Sequence, residues 1–247
     1  MENYFFLDFD GVVCDSVQEC FAASYMAYHE LHLKKKAEAV SLKDKELFCA
    51  CRPFIRSGED YLLIHDLIRG GHVIDSQETF DAHIKKAGVH TMKTYGKLFY
   101  QAREAFLAAE PELWLDLNPL FPGLAGILRR AAENKNFYIL STKKPPFIAR
   151  ILSHHGVQWD ISRVLYPEDE PKRRVIEFVM GKGHAVFVDD QLEHLLDAAQ
   201  NKNIDCRLAD WGYVKKPRFP RKKIPILKLE DLPLLVNTFL ASDQSIL

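Results

Sequence analysis

The sequence predicts an α/β protein in which a doubly wound, mostly parallel sheet carries an inserted α-helical domain. Short apolar segments alternate with segments of helical spacing near both chain ends, which is the pattern of such a sheet. The long stretch between them is dominated by helical spacing. A length of 247 residues exceeds the commonest size of one domain and falls short of two, so one core with an insertion is expected.

The core strands are recognised by continuous apolar runs, which are typical of strands buried on both faces of a parallel sheet. Each run stands before polar residues, and the predicted strands cover residues 4–7, 137–140, 163–166, whose first residue is Arg163, and 185–188. Helical spacing marks the segments between them, residues 147–155, 172–180 and 192–202. Ligands of doubly wound sheets bind outside the carboxyl ends of the strands. The polar residues that follow the runs are therefore the functional candidates.

Residues 17–118 form the predicted insertion, and residues 1–16 and 119–247 form the predicted core. Runs of β-branched residues are scarce in the insertion, and helical spacing is clearest in residues 20–33, 60–69 and 92–109. The insertion starts just after the first strand, so we expect it to lie over the rim that carries the strand-end carboxylates. It is a candidate lid.

The charge balance argues against a nucleic-acid partner. Lys and Arg number 33 against 34 Asp and Glu, a net charge of -1. The one strongly basic stretch, residues 214–223, has no accompanying aromatic ladder and is typical of a solvated loop. The oligomeric state is left open.

Cysteine use and hydropathy predict a cytoplasmic protein that does not associate with membranes. The five cysteines include no C-x-x-C pair, so neither a disulfide framework nor a thiolate zinc site is indicated. Acids interrupt the first apolar run too early for a signal peptide, and no run approaches the roughly 20 apolar residues of a membrane span.

Carboxylates follow two of the predicted strands. Asp8 and Asp10 follow the first, and the pair Asp189 and Asp190 follows a later one. Parallel strands lie about 4.8 Å apart, so both pairs can approach one site. Clustered carboxylates repel one another unless some are protonated or a cation is present. A hard dication such as Mg²⁺ is the expected cofactor, because it prefers oxygen ligands.

Residues 8–16, DFDGVVCDS, resemble the first signature of the haloacid dehalogenase-like hydrolase superfamily. In the superfamily's order, residues 141–145 (STKKP) resemble the second motif, Lys172 before a helix the third, and residues 188–190 (VDD) the fourth. Residues 121–123 (FPG) and 211–213 (WGY) resemble segments found in the phosphoglycolate phosphatase and β-phosphoglucomutase branch of that superfamily. The resemblance implies a Rossmann-like core, and in position and helicity the insertion resembles the superfamily's cap.

The resemblance implies a role for each matched residue. Asp8 would be the nucleophile that forms an aspartyl-phosphate, and Asp10 would be the general acid and base. Thr142 and Lys172 would bind the phosphoryl group, with Ser141 as the alternative hydroxyl if the strand ends one residue sooner. The presence of Asp10 favours phosphoryl transfer over dehalogenation, because a halide leaving group needs no proton.

The resemblance also implies that Mg²⁺ is held by Asp8, the Asp10 backbone carbonyl, Asp189 and Asp190. The superfamily often places another acid four residues beyond the metal-binding Asp. Here that position is His194, with Glu193 one residue before it. The outer support of the metal site therefore departs from the usual pattern.

Arg52 and Arg56 are the candidate substrate-selecting residues of the insertion. They flank a Pro-Phe-Ile segment that is predicted to be a loop before the next helix. We expect one of them to contact the substrate.

The predicted activity is Mg²⁺-dependent hydrolysis of a small phosphorylated metabolite, a phosphomonoester. A sugar phosphomutase that uses the same aspartyl-phosphate is the first alternative. A non-catalytic binding protein that retains the fold is the second. The substrate depends on how the insertion presents a few side chains.

Overall fold

The computed structural model describes residues 2–33, 41–168, 170–214 and 224–244. The basic stretch after Val214 lies outside these ranges. The chain divides into two compact units. The core unit comprises Met1–Asp15 and Pro119–Leu247, and the helical unit comprises Ser16–Asn118.

The described part of the core unit contains a six-stranded parallel sheet with strand order β3-β2-β1-β4-β5-β6. Its strands are β1 (Asn3–Leu7), β2 (Phe137–Leu140), β3 (Val164–Leu165), β4 (His184–Asp189), β5 (Ile204–Ala209) and β6 (Ile226–Leu227). This order is that of Rossmann-like sheets. The predicted fold class is confirmed.

Two strands, β5 and β6, were not among the apolar runs. β5 alternates between buried and more exposed residues, with Asp205 and Arg207 on its less buried side. β6 has only two residues. Neither strand shows the continuous apolar run that identified the other four.

Helices cover both faces of the sheet. They are α7 (Leu124–Ala131), α8 (Pro145–His154), α9 (Lys172–Met180), α10 (Leu192–Ala198) and α11 (Leu232–Gln244). On one face, residues of α9 and α10 pack with Phe6 and Phe187 in a continuous buried cluster. On the other, Phe5 stacks on Phe137 with ring centroids 4.5 Å apart and meets Phe239 of α11 edge-on at 5.3 Å. Adjacent residues of β1 thus point into opposite layers.

The helical unit is all-helical over its described residues. Its helices are α1 (Val17–Leu33), α2 (Leu42–Cys51), α3 (Asp60–Arg69), α4 (Gln77–Ala87), α5 (Val89–Ala109) and α6 (Pro111–Asp116). The three segments of clearest helical spacing lie in α1, α3 and α5, which pack against one another. Aromatic side chains fill the space between α2, α3 and α5, where Tyr61 contacts both Phe48 and Phe99. No helix of the described chain is long and apolar enough to cross a bilayer.

Candidate active site

Neighbouring strands bring the first and fourth motif acids together. β1 and β4 pair in parallel with Leu7 opposite Val188, and the Asp8 amide donates a hydrogen bond of 2.9 Å to the Val188 carbonyl. Carboxylate oxygens of Asp8, Asp189 and Asp190 lie within 4.8 Å of one another, and all three residues are buried. The juxtaposition follows from strand register, because both strands end at the same edge of the sheet.

Lys172 joins two of these carboxylates. It is the first residue of α9, and its Nζ lies 2.6 Å from Asp8 Oδ1 and 2.8 Å from Asp189 Oδ2. Its side chain is 4% exposed. Burial acts to lower the pKa of Lys172, but the charges of Asp189 and Asp8 outweigh burial and raise it. Lys172 is therefore a permanent cation between the two acids.

The two acids that share Lys172 differ in their own ionisation. Burial raises the pKa of Asp8 to about 6, although the charge of Lys172 acts to lower it. Burial also acts to raise the pKa of Asp189, but Lys172 and then His194 reverse that effect and lower it. The asymmetry arises because Asp189 is additionally bonded by His194 Nδ1 at 3.0 Å and by the Gln191 amide at 2.7 Å.

His194 thus lies beside the acid pair, at the position where the sequence departs from the superfamily pattern. Its Nδ1 contacts Asp189 Oδ2. Glu193 is exposed.

Asp190 is positioned by the turn that follows β5. Its Oδ2 accepts a hydrogen bond of 2.7 Å from the Tyr213 amide, and the Tyr213 hydroxyl donates to Asp15 Oδ1 at 2.7 Å. Gly11 has φ of +91°, and a Cβ there would lie 2.2 Å from Asp190 Oδ2. Only glycine fits this close approach. Residues 211–213, which carried part of the resemblance, therefore hold one acid in place.

The second motif lies in the loop between β2 and α8. Ser141 is buried, and its Oγ accepts a hydrogen bond of 3.2 Å from the Lys143 amide. Thr142 is half-buried. Both candidate hydroxyls therefore lie at the strand end, and which of them binds a phosphoryl group stays a prediction.

Sequence reasoning missed Lys143. Its side chain is fully buried, and its Nζ lies 3.1 Å from Asp10 Oδ1. The only sequence signal was a lysine directly after a strand-end hydroxyl pair, within the segment that resembles the second motif.

Arg52 and Arg56 have partners inside the helical unit. Arg52 is buried in a short 3-10 turn, where its guanidinium donates to the Ile55 carbonyl and lies 5.8 Å from the Tyr61 ring centroid. Arg56 forms a two-pronged ion pair with Asp81 at 2.7 and 2.9 Å. Arg52 lies in a 3-10 turn rather than in the loop that the sequence predicts, and its guanidinium faces Tyr61 of α3. A substrate contact by either arginine stays a prediction.

Among the described residues, the site gathers more carboxylates than buried lysines. Its four carboxylates, Asp8, Asp10, Asp189 and Asp190, face two buried lysines, Lys143 and Lys172. Three convergent carboxylate oxygens are a donor set that suits Mg²⁺. The residues present therefore fit a hard dication.

No family model matches this chain, and no curated relative does. Solved structures do match it over nearly its full length. A hydrolase from Pseudomonas syringae has a TM-score of 0.58 and 16% identity, over 96% of this chain and 99% of that one. A haloacid dehalogenase-like family hydrolase from Streptococcus pneumoniae has a TM-score of 0.55 and 17% identity, over 96% and 97%.

A third match is a structure described as a predicted phosphoglycolate phosphatase from Haemophilus somnus. Its TM-score is 0.59 at 14% identity, over 94% of this chain and 96% of that one. At such identities the likeness is one of fold. The resemblance found in the motifs is therefore confirmed at the level of architecture: the chain has the fold of the haloacid dehalogenase-like hydrolases.

Proposed function

We propose that this protein is a Mg²⁺-dependent phosphohydrolase of small phosphomonoesters that works through a phosphorylated Asp8. The observation that carries the proposal is the buried cluster of Asp8, Asp189 and Asp190 with Lys172 between two of its members. The fold supports it, since solved structures that share it are named as hydrolases or phosphatases.

The first half-reaction transfers the phosphoryl group to Asp8. A carboxylate oxygen of Asp8 attacks phosphorus, the ester P–O bond breaks, and the leaving alkoxide takes a proton from Asp10. Lys172 lies 2.6 Å from the nucleophile and neutralises charge on the phosphoryl oxygens. Thr142, or Ser141 in its place, donates a hydrogen bond to one of those oxygens.

The second half-reaction returns Asp8 to its free state. Asp10 accepts a proton from water, the water oxygen attacks phosphorus, and the bond between phosphorus and Asp8 breaks to release phosphate. Asp10 thus ends the cycle protonated, as it began.

Asp8, Asp189, Asp190 and the backbone carbonyl of Asp10 are the groups that would hold Mg²⁺. When bound, the ion supplies the positive charge that lets an anionic nucleophile meet an anionic substrate. Without it, the carboxylates oppose the approach of a phosphate.

The test is a screen of phosphorylated metabolites with Mg²⁺, in which released phosphate is measured. Asp8→Asn is the blank and Asp205→Asn, a change on an exposed residue of β5, is the matched control. We expect the wild type and the control to release phosphate at least about 10⁴-fold faster than the blank, because the nucleophile is absent from it.

Two other outcomes have their own meaning. Transfer of the phosphoryl group to a sugar hydroxyl rather than to water would identify a phosphomutase. Equal rates in wild type and Asp8→Asn, or no turnover on any phosphoester, would overturn the proposal, and the latter would favour a non-catalytic binding protein.

A further inference from the structure

Lys143 is a second lysine buried beside the acids. No part of its side chain is exposed, and the structure pairs its Nζ with Asp10 Oδ1 at 3.1 Å. Burying an ammonium group is costly unless an opposite charge compensates it. A charge held at that cost, next to a residue with a proposed chemical role, calls for a functional explanation.

Each of the two buried lysines contacts a different acid of the first motif. Lys172 contacts Asp8, and Lys143 contacts Asp10. Lys172 also bonds Asp189, so its place follows from the acid cluster itself. Lys143 pairs with Asp10, which is not one of the three acids whose oxygens converge.

The backbone of Lys143 is held in place on both sides. Its amide donates to Ser141 Oγ at the end of β2, and α8 begins two residues later at Pro145. β2 is the neighbour of β1, so the side chain reaches the loop that carries Asp10 from the adjacent strand. Because its loop is anchored in this way, Lys143 can hold the Asp10 carboxylate in one place.

We propose that Lys143 is a positioning residue that holds the Asp10 carboxylate in the orientation needed for proton transfer. The inference rests on the proposed function and adds a residue to it. The Asp10 side chain is 16% exposed, so a carboxyl group with one oxygen held by Lys143 still has access to a ligand. Fixing one oxygen sets the plane of the group and the direction of the other. Misplacing a reacting group by about 1 Å can cost on the order of 10²-fold in rate.

The test compares variant with wild type on two substrates whose leaving groups differ in their need for a proton. An alkyl phosphate releases an alkoxide that requires the proton from Asp10. p-Nitrophenyl phosphate releases a stable phenolate that does not. The quantity measured is kcat/KM, since it covers the steps up to release of the alcohol. Lys143→Met preserves most of the side-chain volume without the charge, and Lys135→Met, on an exposed lysine before β2, is the matched control.

We expect Lys143→Met to lower kcat/KM by about 10²-fold on the alkyl phosphate and by less than about threefold on p-nitrophenyl phosphate. Asp10→Asn should show the same selectivity with a larger loss. In the Asp10→Asn background, Lys143→Met should cause little further loss, because both changes remove one function. The control should match the wild type on both substrates.

Equal losses on the two substrates, or losses that multiply in the double variant, would overturn the inference while leaving the phosphohydrolase proposal intact. Wild-type protein that turns over no phosphoester of the screen would overturn both. If Lys143→Met does not fold, Lys143→Arg replaces it. Arginine keeps the charge but displaces it, so Lys143→Arg should also lose more activity on the alkyl phosphate than on p-nitrophenyl phosphate. If Lys143→Arg shows no such difference, the inference is overturned.

Discussion

Both units of the molecule bury charged side chains, but they balance them differently. In the helical unit, Arg103 donates two hydrogen bonds of 2.8 Å to Glu19, and Trp114 Nε1 donates a third at 3.0 Å. The two charged side chains are 3% and 0% exposed. One cation faces one anion, and the Cys20 thiol also donates to the carboxylate at 3.6 Å.

The core unit buries an unequal set. Over the residues that the structure describes, its four motif carboxylates lie beside two buried lysines, and burial raises the pKa of Asp8 to about 6. The contrast teaches that buried charge alone does not identify a functional site. A balanced pair is complete and stabilises a fold, whereas an unbalanced set gains from a further ligand of opposite charge.

The balanced pair is expected to show the largest effect on stability. Glu19→Gln leaves the Arg103 charge buried without its counter-ion and should lower the free energy of unfolding by about 3–5 kcal/mol. Urea denaturation followed by tryptophan fluorescence measures it, since Trp114 contacts Glu19 directly.

The matched control is Glu170→Gln, because Glu170 pairs with Arg174 in a surface bridge whose side chains are 66% and 70% exposed. Its expected cost is below about 1 kcal/mol. If Glu19→Gln proves as mild as this control, the buried pair does not stabilise the helical unit.

The unbalanced set should show the next largest effect, as stabilisation by an added cation. Mg²⁺ at about 100 times its dissociation constant should raise the free energy of unfolding of the metal-free protein by about 2.7 kcal/mol. Thermal unfolding with Mg²⁺ and with a chelator measures the difference.

Asp190→Asn should abolish most of this stabilisation, because it removes one of three convergent carboxylates. Asp205→Asn, on an exposed acid, should retain it. A response to Mg²⁺ that is the same in both variants would place the cation elsewhere.

A further effect depends on pH and concerns His65, a buried group that the helical unit keeps neutral. It bonds Ser24 at 2.9 Å, and burial, with a smaller contribution from the charge of His29, lowers its pKa to about 3. An unfolded histidine has a pKa near 6.5, so the unfolded chain binds the extra proton first. Stability from His65 is therefore present above about pH 6.5 and is lost as the pH falls toward 3, by up to about 1.4 kcal/mol per pH unit.

His65→Gln keeps a hydrogen-bonding side chain without this titration, so its free energy of unfolding should depend less on pH over that window. Asp60 acts in the opposite direction, since burial raises its pKa to about 6 and its contribution is lost as the pH rises through that value. The comparison is therefore between variant and wild type at each pH, with the exposed His184→Gln as control. Parallel curves for His65→Gln and wild type would show that His65 does not carry the dependence.

Much of the core could be predicted because burial on both faces leaves a local trace. β1, β2, β3 and β4 are short apolar runs, and the residue after each run marks the edge where ligands collect. The same logic predicts that Asp8 and the Asp189-Asp190 pair are neighbours, because they follow strands of one parallel sheet. β5 could not be predicted in this way, because one of its faces is less buried and its residues therefore alternate between apolar and charged side chains.

The sequence by itself determined the fold class, the edge of the sheet that carries the acids, and the residue types gathered there. Only the tertiary structure decided the partners: Lys143 with Asp10, Arg103 with Glu19, and Arg56 with Asp81. The physical reason is one of range. Apolar periodicity is a property of neighbouring residues, whereas the partner of a buried charge is chosen by helix packing and strand order that bring distant segments within 4 Å of each other.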